Sequence, residues 1–475
     1  MGQWVVMKLY AADLDFHAIA EEFGVAVAFA PEVEQEAAAL GDRLADTRID
    51  RRDLALVTID PPGSMDLDQA LHIEKTPTGY RVSYAIADVA AFVSPDSRVG
   101  KESLKRGQTI YLPDTPARLH PAHISEGKAS LLPGVDRPCV LWTIELGHQA
   151  EVVDYRCERA LIRSRARFDY EGVQRDVDSG RAHPSIALLP TVGQLRARSA
   201  LRRDAINLRA PSQTLVRDES GQVSLELEPR VKAMDYNSEI SLLAGMCAGE
   251  LMAQAGVGVL RTLAPADDGA LVQFRKAATA LGFAVPDNVG THDAAALLAS
   301  IDADAPRGMA LMREAKKLLR GAGYQKLGEG QEPVVHAGVG GYYAHVTAPL
   351  RRLIDRYGQE VCLALSSGEE VPEWVGEGLD QVLATMNSSS QVAALVDRAC
   401  LDLTEAVVLA PWRGENFQAV VMESAQAKNT ARVFIEHPPV FGTCVGAPPV
   451  GTGAVVTLVR ADVASRDVAF AWPAD

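Results

Sequence analysis

The stretch Asp60-Pro-Pro-Gly-Ser-Met-Asp66-Leu-Asp68-Gln69 constrains this chain more than any other. It follows LALVTID, an apolar run that reads as a short buried strand, and Pro61-Pro62-Gly63 then forces the backbone out of regular structure. Beyond it, ALHIEK and YRVSYAIADV alternate with period two, Val82, Tyr84 and Ile86 facing away from Arg81 and Ser83, with TPTG as the turn between them. A β-hairpin is therefore predicted directly after the loop. Aspartates gathered this closely between buried strands repel one another, and a divalent cation is the usual compensation. Asp66 and Asp68, two apart in extended chain, point to one side, and the bend can return Asp60 to the same point. Such an oxygen-only site suits Mg²⁺, which keeps several waters and is often completed by substrate phosphates. A calcium EF-hand fits poorly, because the fifth position counted from Asp66 is Ala70 and no turn glycine follows. Taken alone, the loop reads equally well as a solvated acidic turn.

A length of 475 residues allows two to four domains. Residues 1–50 are acidic and Ala/Glu-rich: Asp13 is placed to cap LDFHAIAEEFG, and Pro31 opens a second helix, EVEQEAAALGDRLA. A packing arm suits this pair better than a helix-turn-helix, since little positive charge is available for DNA. Residues 51–410 begin with strands and loops and become helical after about 165. Ile240, Leu243, Cys247 and Leu251 mark a buried helix, MALMREAKKLLRGAG an amphipathic basic one, and Pro349 starts PLRRLIDRYGQEVCLAL. A last helix is predicted over Gln391 to Leu409. In 411–475 short alternating strands separated by Gly- and Pro-containing turns match a small OB-type barrel.

The net charge of −15 argues against coating nucleic acid or anionic membrane by bulk charge, although a local basic channel remains compatible with it. RCERALIRSRARF, LRARSALRR and REAKKLLR are candidate phosphate-binding stretches, implying a steep fall of activity with salt. Six scattered cysteines without a C-x-x-C pair suggest reduced, buried thiols. With neither a leader pattern nor a membrane-length apolar run, a soluble cytoplasmic protein is expected. No Walker A or H-E-x-x-H sequence occurs, and His120 and His123 in their Pro-rich loop suit structural roles better than zinc.

VTIDPPGSMDLDQALHI, followed in order by YAIADVAAFV, GQTIYLPD, LHPAHISEGKASLLPGVDRP, LEPRVKAMDYNSEISLLAG and YYAHVTAPLRRLIDRY, resembles the ribonuclease II/R (RNB) family of hydrolytic 3′→5′ exoribonucleases. The resemblance runs from about 50 to 360, and the order of the blocks is more specific than any one of them. It implies an α+β fold: a mixed α/β RNB catalytic domain, a C-terminal OB-fold barrel of the ribosomal S-one type and a short N-terminal helical segment. It also implies Mg²⁺ as cofactor, Mn²⁺ being the other candidate cation, and single-stranded RNA or RNA with a 3′ overhang as partner. A monomer without membrane attachment is expected, degrading RNA processively to nucleoside 5′-monophosphates.

By the same resemblance, Asp60, Asp66 and Asp68 match the metal-binding aspartates and Arg351 the arginine at the scissile phosphate. Tyr111 matches a tyrosine stacking on the terminal nucleotide, Glu239 an acid near the end of the RNA track, and Arg352 is an RNA-binding candidate. Without that context Tyr111 reads as a core tyrosine and Arg351 as half of a surface ion pair. Three departures stand out. Gln69 occupies the family's usual fourth aspartate and can offer a metal only a neutral oxygen. Leu208 lies about where a second stacking aromatic is usual. The short helical prelude stands in place of two cold-shock barrels, implying a more open RNA entrance. Gln69 keeps a second reading alive, an RNA-binding regulator with weakened catalysis. The third, a small-molecule phosphoesterase, is disfavoured by the barrel.

Overall fold

Both strands of the expected hairpin form in the computed structural model. It describes residues 14–473 apart from 200, 201, 203, 204, 207, 210, 211, 218–222, 229, 329 and 452, with backbone alone for 212–217 and 223–228. The hairpin strands Gln69–Thr76 and Gly79–Ala87 join a five-stranded sheet ordered 49–50, 152–163, 136–146, 79–87, 69–76. All its pairings are antiparallel except that of the two-residue strand 49–50 with 152–163.

The alternation is real, but both faces are covered. Val82, Tyr84 and Ile86 pack with Leu71 and Trp142 against the helices Lys232–Ala255 and Leu353–Ser367. Ala85, Ala87 and Leu141 face Val33, Phe92 and Val99 on the other side. Ser83 is accordingly only 3% exposed. Full burial of an aliphatic side chain such as Ile86 is worth about 1.5–3 kcal/mol, so the sheet is a rigid floor for the loop that precedes it.

Helix 232–255 carries Gly245 and Gly249 where the segment Tyr342–Ala344 crosses it. A Cβ at Gly245 would lie 2.3 Å from the Tyr343 ring, and one at Gly249 2.5 Å from the Tyr343 nitrogen. These glycines let the arginine-bearing segment approach the helix axis.

Four predicted helices differ in extent: the second N-terminal one ends at Ala39, short of Ala45, and MALMREAKKLLRGAG passes from α-helix to a 3-10 turn after Ala315. The last helix runs from Glu373 to Leu409, beginning well before Gln391. Gly376, Gly378 and Ser388–Ser390 read as breakers, but Gly378 packs against Tyr357, and Ser388 and Ser389 return their hydroxyls to the carbonyls of Thr385 and Met386. The helix expected from Pro349 starts at Leu353, leaving Arg351 and Arg352 ahead of it.

The N-terminal helices are His17–Glu22 and Pro31–Ala39. The Asp13 cap lies outside the described residues; Asp15 accepts the His17 N–H at 2.9 Å. Phe16 and Ile19 bury against Ile110, Leu112 and Leu403, whereas Val33 and Ala37 join the sheet's far face. The two helices thus serve separate clusters, as a packing arm does.

Strands 416–425, 430–435, 440–445, 467–471 and 453–462 close a barrel around Phe470, Val433, Val456 and Leu458. Its outer residues Val420, Met422 and Phe434 pack on the helices Asp268–Ala280 and Pro306–Ala315. All six cysteines are buried and unpaired. Among the described residues no helix is long and apolar enough to cross a membrane.

Candidate active site

The acidic loop leaves strand Thr58–Ile59 and is held at several points. The Asp60 N–H donates to Phe168 O at 3.1 Å, and Arg167 donates to Ser64 O at 2.8 Å. The Ser130 hydroxyl accepts the Leu67 N–H at 3.0 Å and donates to Met65 O at 2.6 Å. Leu67 is fully buried, so alternation turns Asp66 and Asp68 to the opposite side from it.

Asp68 is 4% exposed; Asp60 and Asp66 are half-buried. Burial, then repulsion from Asp66, pushes the Asp60 carboxyl up to about 7. Burial pushes Asp68 up to about 8, opposed by Arg351 and by the Leu350 N–H, and burial likewise raises Asp66. Arg351 opposes the rise at all three, so one guanidinium faces the whole cluster. Its Nε lies 3.5 Å from Asp68 Oδ2. Tyr111, 52% exposed, donates its hydroxyl to Asp66 Oδ2 at 3.5 Å. The aspartates, Arg351 and Tyr111 therefore share one site.

The segment 346–351 that delivers Arg351 is gripped along its backbone by distant groups. Gln359 donates to Val346 O at 3.2 Å, and Gln69 donates its amide to Thr347 O. Asp355 accepts the Ala348 N–H at 2.6 Å and Asp68 the Leu350 N–H at 2.9 Å. The Thr109 N–H donates to Arg351 O at 2.9 Å. His120 spans Ser103 Oγ at 2.8 Å and Pro349 O at 3.3 Å. A neutral ring satisfies both when Nε2–H faces the carbonyl and Nδ1 accepts the Ser103 hydroxyl proton, for which Val99 O at 2.7 Å is the competing acceptor. Side-chain chemistry follows backbone polarity: amides and imidazole meet carbonyls, carboxylates meet N–H groups.

His120 is fully buried, and burial with the nearby Arg356 charge pushes its pKa down to about 3. The folded value lies below the ordinary 6.5, so the unfolded chain takes up the proton first as pH falls. Stability is lost progressively below pH 6.5. The stability advantage of wild type over His120→Gln is expected to shrink by about 2 kcal/mol between pH 7 and pH 5. Urea unfolding at both pH values checks this; a constant difference would mean that the buried ring is not held neutral.

Other expected residues are engaged in contacts of their own. Arg352 gives Nε and Nη2 to the two oxygens of Asp355 at 2.9 and 2.8 Å, which locks the turn. Glu239, 5% exposed, accepts from Arg202 at 3.0 Å, and Arg202 also donates to Val339 O at 2.8 Å. Leu208 packs in the cluster of helices 268–280 and 306–315. Much of the expected basic lining is already committed: Arg159 to Asp88 and Glu360, Arg163 to Asp136, Arg313 to Glu405, and Lys317 to Glu314. Ser130, Asp355 and Gln359 escaped sequence reasoning, because they act on backbone groups that no local pattern marks; Arg167, expected among the phosphate contacts of its basic stretch, instead donates to Ser64 O.

The donor set fits a hard divalent cation. Oδ2 of Asp60 is buried without a hydrogen-bond partner, and raised carboxylates of this kind are relieved by positive charge. Among the described residues no three His, Cys, Asp or Glu side chains converge enough to hold a metal by themselves. Water and phosphate oxygens would complete the shell, as Mg²⁺ prefers.

Residues 48–365 match the RNB domain model, and residues 415–472 match that of the RNase II-type exonuclease C-terminal S1 domain. Ribonuclease R of Chlamydia trachomatis is 28% identical over 407 residues, covering 83% of this chain and 57% of that protein. The chain thus spans about half the length of the curated relatives it matches. Mycoplasma genitalium RNase R, solved with ribose-methylated single-stranded RNA, superposes with a TM-score of 0.84 at 20% identity, over 96% of this chain and 77% of that one. Yeast Ssd1, described as a pseudonuclease, superposes at 0.67 and 16% identity, over 89% of this chain and 54% of its own. At such identities the superpositions speak for the fold. Because one domain model accounts for most of the chain and the acidic loop, Tyr111 and Arg351 all fall within it, the chain belongs to the RNB family.

Proposed function

We propose that this chain is a hydrolytic exoribonuclease. It removes nucleoside 5′-monophosphates processively from the 3′ end of single-stranded RNA, with Mg²⁺. The observation that carries the reading is the meeting of Arg351 with Asp60, Asp66 and Asp68 in one buried acidic site, with an exposed Tyr111 at its edge. The relatives named ribonuclease R support it, as does the RNA-bound state of the Mycoplasma protein.

A cation held by the aspartates would neutralise phosphate charge and lower the pKa of a water. The chain's own groups do the rest. Arg351, at 43% side-chain exposure, reaches outward to the scissile phosphate, where charge grows in the transition state. Tyr111 offers a ring face to a terminal base without reading its identity. The buried Asp68 fixes the arginine turn through the Leu350 N–H while presenting Oδ2 to the site.

A gel time course on 5′-labelled single-stranded RNA with Mg²⁺, beside matched DNA, tests the reading. A very short labelled product without a ladder is expected from RNA alone. RNA that stays intact yet bound would favour the regulator reading, which the likeness to the pseudonuclease Ssd1 keeps open.

Salt dependence should be shallower than the basic stretches suggest, because so many of their side chains are paired. With about three phosphate contacts and −0.7 per contact on single strands, a log–log slope of about −2 is expected. A slope steeper than about −5 in binding titrations would mean that the ion pairs open to receive RNA.

A further inference from the structure

We propose that Gln69 is a positioning residue for the arginine-bearing turn, and not a neutral stand-in for a fourth metal-binding aspartate. Only its catalytic readout rests on the exoribonuclease reading.

The argument starts from hydrogen-bond polarity. A backbone carbonyl only accepts, so the group facing Thr347 O must be the amide nitrogen of Gln69; the amide has one orientation here. Gln69 opens a strand and is paired with Ile86, which fixes its backbone. Thr347 is steadied separately, its hydroxyl accepting from Ser241 at 3.1 Å. Consecutive residues thus grip one turn with opposite chemistry: Asp68 accepts the Leu350 N–H and Gln69 donates to the Thr347 carbonyl.

A carboxylate at 69 would set lone pairs against lone pairs at Thr347 O. It would also add a charge beside Asp68, whose carboxyl is already buried. Aspartate would in addition be one methylene too short to reach. Glutamine is the residue that lets a loop of aspartates and an arginine turn 278 positions away in sequence stay in register. The catalytic consequence follows from Arg351 lying four residues along that turn: a slack turn misplaces the guanidinium.

Gln69→Met removes the donor and the oxygen at nearly constant shape, and Gln69→Glu exchanges the donor for charge. With Gln69→Met, the cation-free protein is expected to melt lower than wild type. Its Mn²⁺ dissociation constant, titrated without RNA, should stay within about threefold. The kcat should fall about 10–100-fold with little change in KM, and the fall should vanish in an Arg351→Ala background, since both act through the same group. Gln69→Glu should likewise lose activity. The proposal is overturned if Gln69→Met weakens Mn²⁺ binding about tenfold or more at unchanged melting temperature, or if Gln69→Glu outperforms wild type. Melting and Mn²⁺ titration need no RNA. Should wild type leave RNA intact, they still decide the role of Gln69, and the functional reading alone falls.

Discussion

Asp68→Asn is expected to reduce hydrolysis of single-stranded RNA by on the order of 10³-fold while melting no lower than wild type. Asp68 is 4% exposed, and burial alone drives its carboxyl up to about 8. A charge kept there is costly to the cation-free fold. Asparagine is almost the same shape, and its Oδ1 can still accept the Leu350 N–H now bonded at 2.9 Å. The substitution therefore preserves the turn and removes only the charge. RNA binding should persist in a gel-shift titration, since Tyr111 and Arg351 remain. A variant that keeps most of its activity would move the chemistry away from this loop. A variant that melts much lower would show that the charge is needed for folding, which the geometry argues against.

The second large effect has the opposite sign on stability. Arg351→Ala is expected to lose about 10²–10³-fold in kcat, with a smaller change in KM, and to lower the melting temperature of the cation-free protein. This guanidinium opposes the upward shift of Asp60, Asp66 and Asp68 together, so deleting it leaves three carboxylates without their shared counter-charge. Arg351→Lys should recover part of the stability, because a point charge still faces the cluster. It should recover little of the rate, because an ammonium cannot fork onto a phosphate as a guanidinium does. Melting curves of the two alanine and asparagine variants side by side are diagnostic: both lose activity, yet they shift stability in opposite directions. If Arg351→Ala melts as wild type does, the arginine is not the counter-charge of this cluster.

Much of the architecture was legible in the chain. The hairpin after the acidic loop follows from alternation in residues 69–87, and the barrel from short strands punctuated by Gly and Pro in 411–475. Both patterns are local. The long helix was harder: Gly378 and the Ser388–Ser390 run weaken helix propensity, and only the fit of Gly378 against Tyr357 and the back-bonded serine hydroxyls explain why the helix continues. The basic stretches misled for a similar reason. Sequence displays the cations but not the acids that face them, and Arg159, Arg163 and Arg313 are each met by a carboxylate distant in the chain.

At the site, the order and spacing of the blocks singled out Asp60, Asp66, Asp68, Tyr111 and Arg351 as candidates, because loop chemistry and block order are written along the chain, and the structure brings these residues together. The clamp on the arginine turn could not be read that way. Its contacts join Asp68 to Leu350 across 282 positions and His120 to Pro349 across 229. Which donor meets which buried carbonyl depends on how the sheet, the helix 353–367, the helix 98–106 and the segment leading from it to His120 stack in space. Residue types and their local order thus determined that there is an acidic loop, a hairpin, a barrel and an arginine to be placed. Tertiary packing alone decided that Asp68, Gln69 and His120 hold the arginine's turn. A buried backbone polar group must find a partner wherever the fold brings one, and that partner leaves no periodic signal in the sequence.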